Sequence, residues 1–228
     1  QWKRLLKKCK TKANKDNFFG NVSQLNLRNS IFIDNTANEI IADEYGRYLS
    51  NNIGVVTCNK IACASTFKNY LYLKKTSSRF GTPFLFETNV GAGLPIIDTL
   101  NTLIASGDKI HKIQAILSGS LNYVFNNFTP KTTFREVVKN AQDAGYTEPN
   151  PKIDLSGIDV ARKILILARE SGFKLELDDI DNKSFLPDEV LNTSSNEEFY
   201  KAIDKNEAHF QNILKIATKK NSRLKYVA

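Results

Sequence analysis

Ser30-Ile31-Phe32-Ile33-Asp34, Ile53-Gly54-Val55-Val56-Thr57 and Pro83-Phe84-Leu85-Phe86-Glu87 are three short, mostly apolar runs separated by polar stretches. Runs of this length, rich in Val, Ile and Phe, read as buried strands. Between the first two, Ile40, Ile41, Tyr45, Tyr48 and Leu49 recur at helical spacing over residues 38–50, and residues 66–77 read as a second helix. Strand, helix, strand, helix, strand with short connections predicts a parallel α/β sheet. This half is expected to be Rossmann-like.

The pattern changes after Val90-Gly91-Ala92-Gly93. Residues 94–105 read as an apolar helix with Pro95 early in it, where a missing N–H costs least. Lys109 to Leu117 alternates in part and predicts a strand of a second sheet. Ser120–Phe128, Thr133–Ala144 and Ser156–Ser171 read as helices, residues 196–219 as one long polar helix, and Leu224–Val227 as the start of a strand. A boundary is therefore expected between residues 90 and 91, with an α/β part before it and an α+β part after it.

Composition narrows the class. The 228 residues are 41% hydrophobic and 25% charged, which fits a soluble globular chain and excludes disordered or collagen-like classes. No run approaches the ~18 apolar residues of a membrane helix, and the first residues carry no signal-peptide core, so no membrane association is expected. Cys9, Cys58 and Cys63 make no disulfide framework, and the last two lack zinc-site spacing, which suggests a reducing, cytoplasmic setting. The net charge of +8 is terminal: residues 1–16 carry seven Lys or Arg against one Asp, and residues 215–228 carry five against none. Solvated basic ends account for this better than nucleic-acid binding.

The Gly-x-Gly-x-x-Gly turn of dinucleotide enzymes is absent; Gly91-Ala92-Gly93 comes nearest, but Ile96 stands at the third glycine position. The densest candidate site runs from Gly145 to Lys163. Asp159 and Lys163 are four apart on one helix face, and Glu148 and Asp154 on the preceding loop are placed to converge on them. Carboxylates beside a lysine suit the binding of an ammonium group and the holding of a proton-transferring amine. The same residues also fit a Ser156–Asp159 capping box and an ordinary surface ion pair. Lys60 follows the second strand, at the end where α/β folds place ligands, although a solvated loop lysine reads equally well. Glu87 before a glycine-rich turn fits either a tight turn or carbonyl coordination of a hard cation. His111 and His209 are isolated and receive no role.

Glu87-Thr88-Asn89-Val90-Gly91-Ala92-Gly93-Leu94-Pro95, Leu117-Ser118-Gly119-Ser120-Leu121-Asn122, Gly145-Tyr146-Thr147-Glu148-Pro149 and Asp154-Leu155-Ser156-Gly157-Ile158-Asp159-Val160-Ala161-Arg162-Lys163 together resemble homoserine dehydrogenase, most nearly the dehydrogenase half of bifunctional aspartokinase–homoserine dehydrogenases. The resemblance implies NAD(P)-dependent interconversion of L-homoserine and L-aspartate 4-semialdehyde, on the route to threonine and methionine. It implies two catalytic lysines: Lys163 as the proton donor, and Lys60 placed near nicotinamide and substrate. Glu148 and Asp159 match substrate-binding carboxylates, Asp154 a further acidic site residue, and Tyr146 and Ser120 pocket positions. Asn35, Thr36 and Gly145 match cofactor contacts. Glu87 with the carbonyls of Val90, Ala92 and Leu94 matches a monovalent-cation site, usually sodium.

On this resemblance, residues 1–90 are a partial nucleotide-binding domain without its glycine-rich loop. Residues 91–228 are a substrate-binding and dimerisation domain lacking its closing strands, and Lys109–Leu117 lies in the sheet through which a homodimer forms. The chain is then an internal piece of a catalytic domain, inactive alone. Two other readings stand beside it: a non-catalytic dimerisation module, or another semialdehyde or hydroxy-acid dehydrogenase. Intact Lys60, Glu148, Asp159 and Lys163 argue against the first. The lack of a cysteine near Asn89 or Ser118 argues against a phosphorylating semialdehyde dehydrogenase, which needs a thiol nucleophile.

Overall fold

Phe32, Val55 and Phe84 occupy matched positions on three neighbouring parallel strands, and around them the first half of the chain is organised. The computed structural model describes residues 2–10, 12 and 14–228 and divides into two units. Residues 1–63 and 68–86 form the first, and residues 64–67 and 87–228 the second. In the first, β1 (Ile31–Asp34), β2 (Gly54–Thr57) and β3 (Phe84–Leu85) lie in the order β1-β2-β3, all parallel. One sheet face is aromatic: Phe32 stacks on Tyr48 at 4.1 Å, and Tyr45 packs 6.0 Å from Phe84. On the other face Ile31, Ile33 and Leu85 are exposed, against the expectation of fully buried strands. Among the described residues no helix covers that face, although strands apolar on both sides call for one.

The single helix expected over 38–50 is two, Glu39–Ala42 and Tyr45–Leu49. The chain tightens between them, where the Glu44 N–H bonds three residues back to Ile41 O. The helix read over 66–77 extends over Phe67–Phe80.

The second unit is a helical assembly. Helices Gly119–Asn127, Phe134–Asp143, Pro151–Leu155, Asn196–Lys205 and Glu207–Lys219 bury Leu121, Val124, Val138, Leu155, Ile203 and Phe210 in one core. Thr133 and Glu136 form a reciprocal capping box at the start of Phe134–Asp143. Glu207 adds its carboxylate there, accepting the Phe134 N–H. The long helix expected over 196–219 breaks at Asn206, whose side-chain amide turns back to Ala202 O.

Lys109–Leu117 forms no strand among the described residues. It runs extended, with Ile113, Ala115 and Leu117 half-buried and Lys112, Gln114 and Ile116 exposed. Its partner is the end of the chain: Ala115 and Ala228 exchange both backbone hydrogen bonds, at 2.9 and 3.0 Å. One such pair satisfies neither Lys109–Leu117 nor Leu224–Val227 as a sheet strand, because ladder bonds must repeat along both. Among the described residues no helix is long and apolar enough to cross a membrane.

Candidate functional site

In the second unit the site begins where a loop was expected. Asn150 accepts the Lys152 N–H and Pro151 occupies the first helical position, so Pro151–Leu155 is a short helix. The Ser156–Asp159 capping box that the spacing also allowed does not form. Ser156 follows that helix and donates back to Ile153 O, and Gly157, at φ +77°, opens helix Ile158–Glu170 instead. A side chain at 157 would also place its Cβ 2.1 Å from Tyr226 Oη. Gly157→Ala is accordingly expected to lower stability by more than the ~1–2 kcal/mol of a left-handed L-residue; thermal melts check this, and an unchanged melting temperature would contradict the placement.

Asp159 stands in the first turn of that helix, where a carboxylate meets the helix dipole, and Lys163 stands one turn on. Lys163 Nζ donates to Leu117 O at 2.8 Å and pairs with Asp159 Oδ2 at 2.7 Å, with its side chain 17% exposed. An ammonium carries three N–H groups. Two are engaged, and the third has no partner among the described residues. Asp154 is a strut: Oδ1 accepts the Ser120 hydroxyl at 3.1 Å, and Oδ2 accepts the Glu148 N–H at 2.9 Å. Ser118, which caps helix Gly119–Asn127, holds Ser120 Oγ at 2.9 Å. The Glu148 carboxylate is left exposed. Tyr146 stacks on Tyr123 at 4.4 Å, and Gly145 lies in the turn that ends Phe134–Asp143. The structure thus gives two sets of contacts that meet at the Leu117–Ser118 peptide: Lys163 with Asp159 and Leu117 O, and Asp154 with Ser120 and the Glu148 N–H.

Glu87 caps a helix. Its two oxygens accept the Ile97 and Asp98 N–H groups, each at 2.8 Å, at the start of Ile96–Ala105. Between them Gly91 and Ala92 take positive φ, +82° and +53°, and Leu94 O accepts the Ile96 N–H. A left-handed alanine is a strained turn position of the kind that collects at functional loops.

In the first unit Asn35, Thr36 and Lys60 follow the carboxyl ends of β1 and β2. Asn35 and Thr36 are exposed and Lys60 half-buried. Beneath them lies a buried polar cluster that the sequence reading passed over. Asp34, 2% exposed, accepts the Thr36 N–H at 2.8 Å, the Tyr45 hydroxyl at 2.5 Å and an Asn59 amide N–H at 3.1 Å. Burial raises the Asp34 carboxyl, but the bonds from Tyr45, Thr36 and Asn59 outweigh it and hold it below the ordinary value. Burial, then Asp34, push the Tyr45 phenol up. A depressed carboxyl stabilises the fold above its unfolded pKa of about 3.9 and loses that contribution as pH falls through the folded value. Asp34→Asn is therefore expected to lower the melting temperature at neutral pH and to lower it less near pH 3. The one sequence signal was an acidic residue closing an apolar strand, which burial obliges to find donors.

The homoserine dehydrogenase family profile matches residues 95–228, and that family's NAD-binding domain profile matches residues 1–87. A chloroplastic bifunctional aspartokinase/homoserine dehydrogenase 2 of Zea mays is 45% identical over 87% of this chain, which spans 22% of that protein. A Candida auris protein of unknown function, solved by crystallography, superposes with a TM-score of 0.86 at 36% identity, over 96% of this chain and 62% of its own. A hyperthermophilic archaeal homoserine dehydrogenase in complex with NADPH gives a TM-score of 0.55 at 29% identity, over 62% and 43% respectively. With profiles matching both its parallel-sheet half and its helical half, this chain belongs to the homoserine dehydrogenase family of oxidoreductases.

Proposed function

We propose that the protein carrying this chain interconverts L-homoserine and L-aspartate 4-semialdehyde with NAD(P). The observation that carries the reading is Lys163, fixed by Leu117 O and Asp159 with one N–H left to offer. An aldehyde that accepts a hydride develops alkoxide charge, which an adjacent ammonium stabilises and then protonates. Lys163 is that ammonium. In the reverse direction, as the neutral amine, it takes the hydroxyl proton of homoserine. Glu148 and Asp159 hold the substrate's α-ammonium, Asp154 sets the height of Glu148 and Ser120, and Tyr146 walls the pocket.

When bound, NAD(P)H supplies the hydride. In the first unit the residues toward the nucleotide are Asn35, Thr36 and Lys60, at loops after strand ends of the kind that receive ligands in α/β folds. The hard-oxygen set of Glu87 and the carbonyls of Val90, Ala92 and Leu94 suits a monovalent cation such as sodium, since each carboxylate oxygen keeps a second lone pair beyond its helix bond. Homodimer formation along Lys109–Leu117 is part of the same reading: an extended segment bonded at one point keeps an edge to pair.

The test is product identification. Full-length protein incubated with aspartate 4-semialdehyde and NADH or NADPH should form homoserine, separated chromatographically, in step with cofactor oxidation. Oxidation without homoserine, or none with either cofactor, would overturn the reading.

A further inference from the structure

We propose that Asp34 is a positioning residue for the nucleotide, holding the Asn35-Thr36 loop and the Asn59-Lys60 turn in one register from beneath. The inference rests on the dehydrogenase reading above and adds a residue to it.

A carboxylate taken out of water is expensive unless fully hydrogen-bonded, and a hydrophobic residue at the end of a strand carries no such penalty. Asp34 is compensated by neutral donors, and their places in the chain are informative. The Thr36 N–H belongs to the loop leaving β1. The Asn59 amide belongs to the turn leaving β2, and it also donates to Asn38 O at 3.0 Å while its oxygen accepts the Ile61 N–H. Tyr45, on the helix between the strands, donates to Asp34 and lies 2.8 Å from Thr57 Oγ1. One buried anion thus ties together two strand ends and the crossover between them. Both segments above it carry residues assigned to the cofactor, and neither assigned residue of the first loop is itself buried. Exposed loops hold a ligand well only where something rigid fixes their backbone.

Asp34→Asn keeps the shape but replaces one acceptor oxygen with an NH2 group, so at least one of the donors loses its acceptor. In the full-length protein, calorimetric titration with NADH and NADPH is expected to show the dissociation constant of the preferred nucleotide rising about tenfold or more. In steady-state assays well below the melting temperature, KM for the nucleotide should rise by a similar factor while KM for homoserine stays within about twofold. Tyr45→Phe, which keeps the ring packing and removes one donor, should shift the same two nucleotide constants in the same direction by a smaller factor. It serves as the deciding variant if Asp34→Asn does not fold.

Nucleotide constants within about twofold of wild type in folded Asp34→Asn, with only the melting temperature lowered, would overturn the positioning role and leave the dehydrogenase reading intact. The same result in Tyr45→Phe, where that is the deciding variant, would do likewise. A wild-type protein that binds neither nucleotide would overturn the dehydrogenase reading itself, and this proposal with it.

Discussion

Phe134→Ala is expected to destabilise the second unit by about 3–5 kcal/mol, the usual cost of emptying a buried aromatic site. Phe134 is 1% exposed and stacks on Phe210 at 4.0 Å with the rings 15° apart. Phe128 meets it edge-on at 5.2 Å. Rings held on several sides leave little room for collapse, so the cavity persists and the loss sits at the upper end of the range. The consequence reaches the site, because Phe128 and Leu121 share this core with Leu155 at the end of helix Pro151–Leu155. Marginal domains hold roughly 5–15 kcal/mol in all, so urea denaturation should show a large fall in the midpoint. A loss under about 1 kcal/mol would mean that Phe134 is not at the centre of this core.

The α/β half was legible because its strands are short apolar runs with little else to become, and the parallel order follows from the helices between them. What stayed hidden depended on contacts distant in sequence. Asn150-Pro151 is a good helix start, yet beside Gly145 and Pro149 it reads as loop. Ser156 has the spacing of a capping box, but the left-handed Gly157 gives the helix a different beginning. Lys109–Leu117 has a strand's alternation, and alternation cannot say whether partners exist to make a ladder. Of the candidate site, the pairing of Lys163 with Asp159 was open to reading from a spacing of four. The role of Asp154 was not, since its bond to Ser120 crosses 34 residues of chain. The Asp34 cluster was the least legible, assembled as it is from two strand ends and a crossover helix.

Lys163 carries the largest expected effect on activity. If it only paired with Asp159 near the surface, its loss would cost about 0.3–0.5 kcal/mol and leave turnover intact. As the proton donor it should matter by roughly 10²–10⁴-fold in kcat with little change in melting temperature. Lys163→Arg should fail as well, because a guanidinium keeps the charge but scarcely yields a proton. Asp159→Ala should act differently, raising KM for homoserine as a partner of the substrate's ammonium is removed. The decisive measurement is the turnover of Lys163→Ala against wild type, in full-length protein at saturating homoserine and NAD(P), with both shown to be folded by thermal melting. A fall of roughly 10²–10⁴-fold is the predicted result; near-normal turnover in the folded variant would contradict the account and return the helix to a structural role.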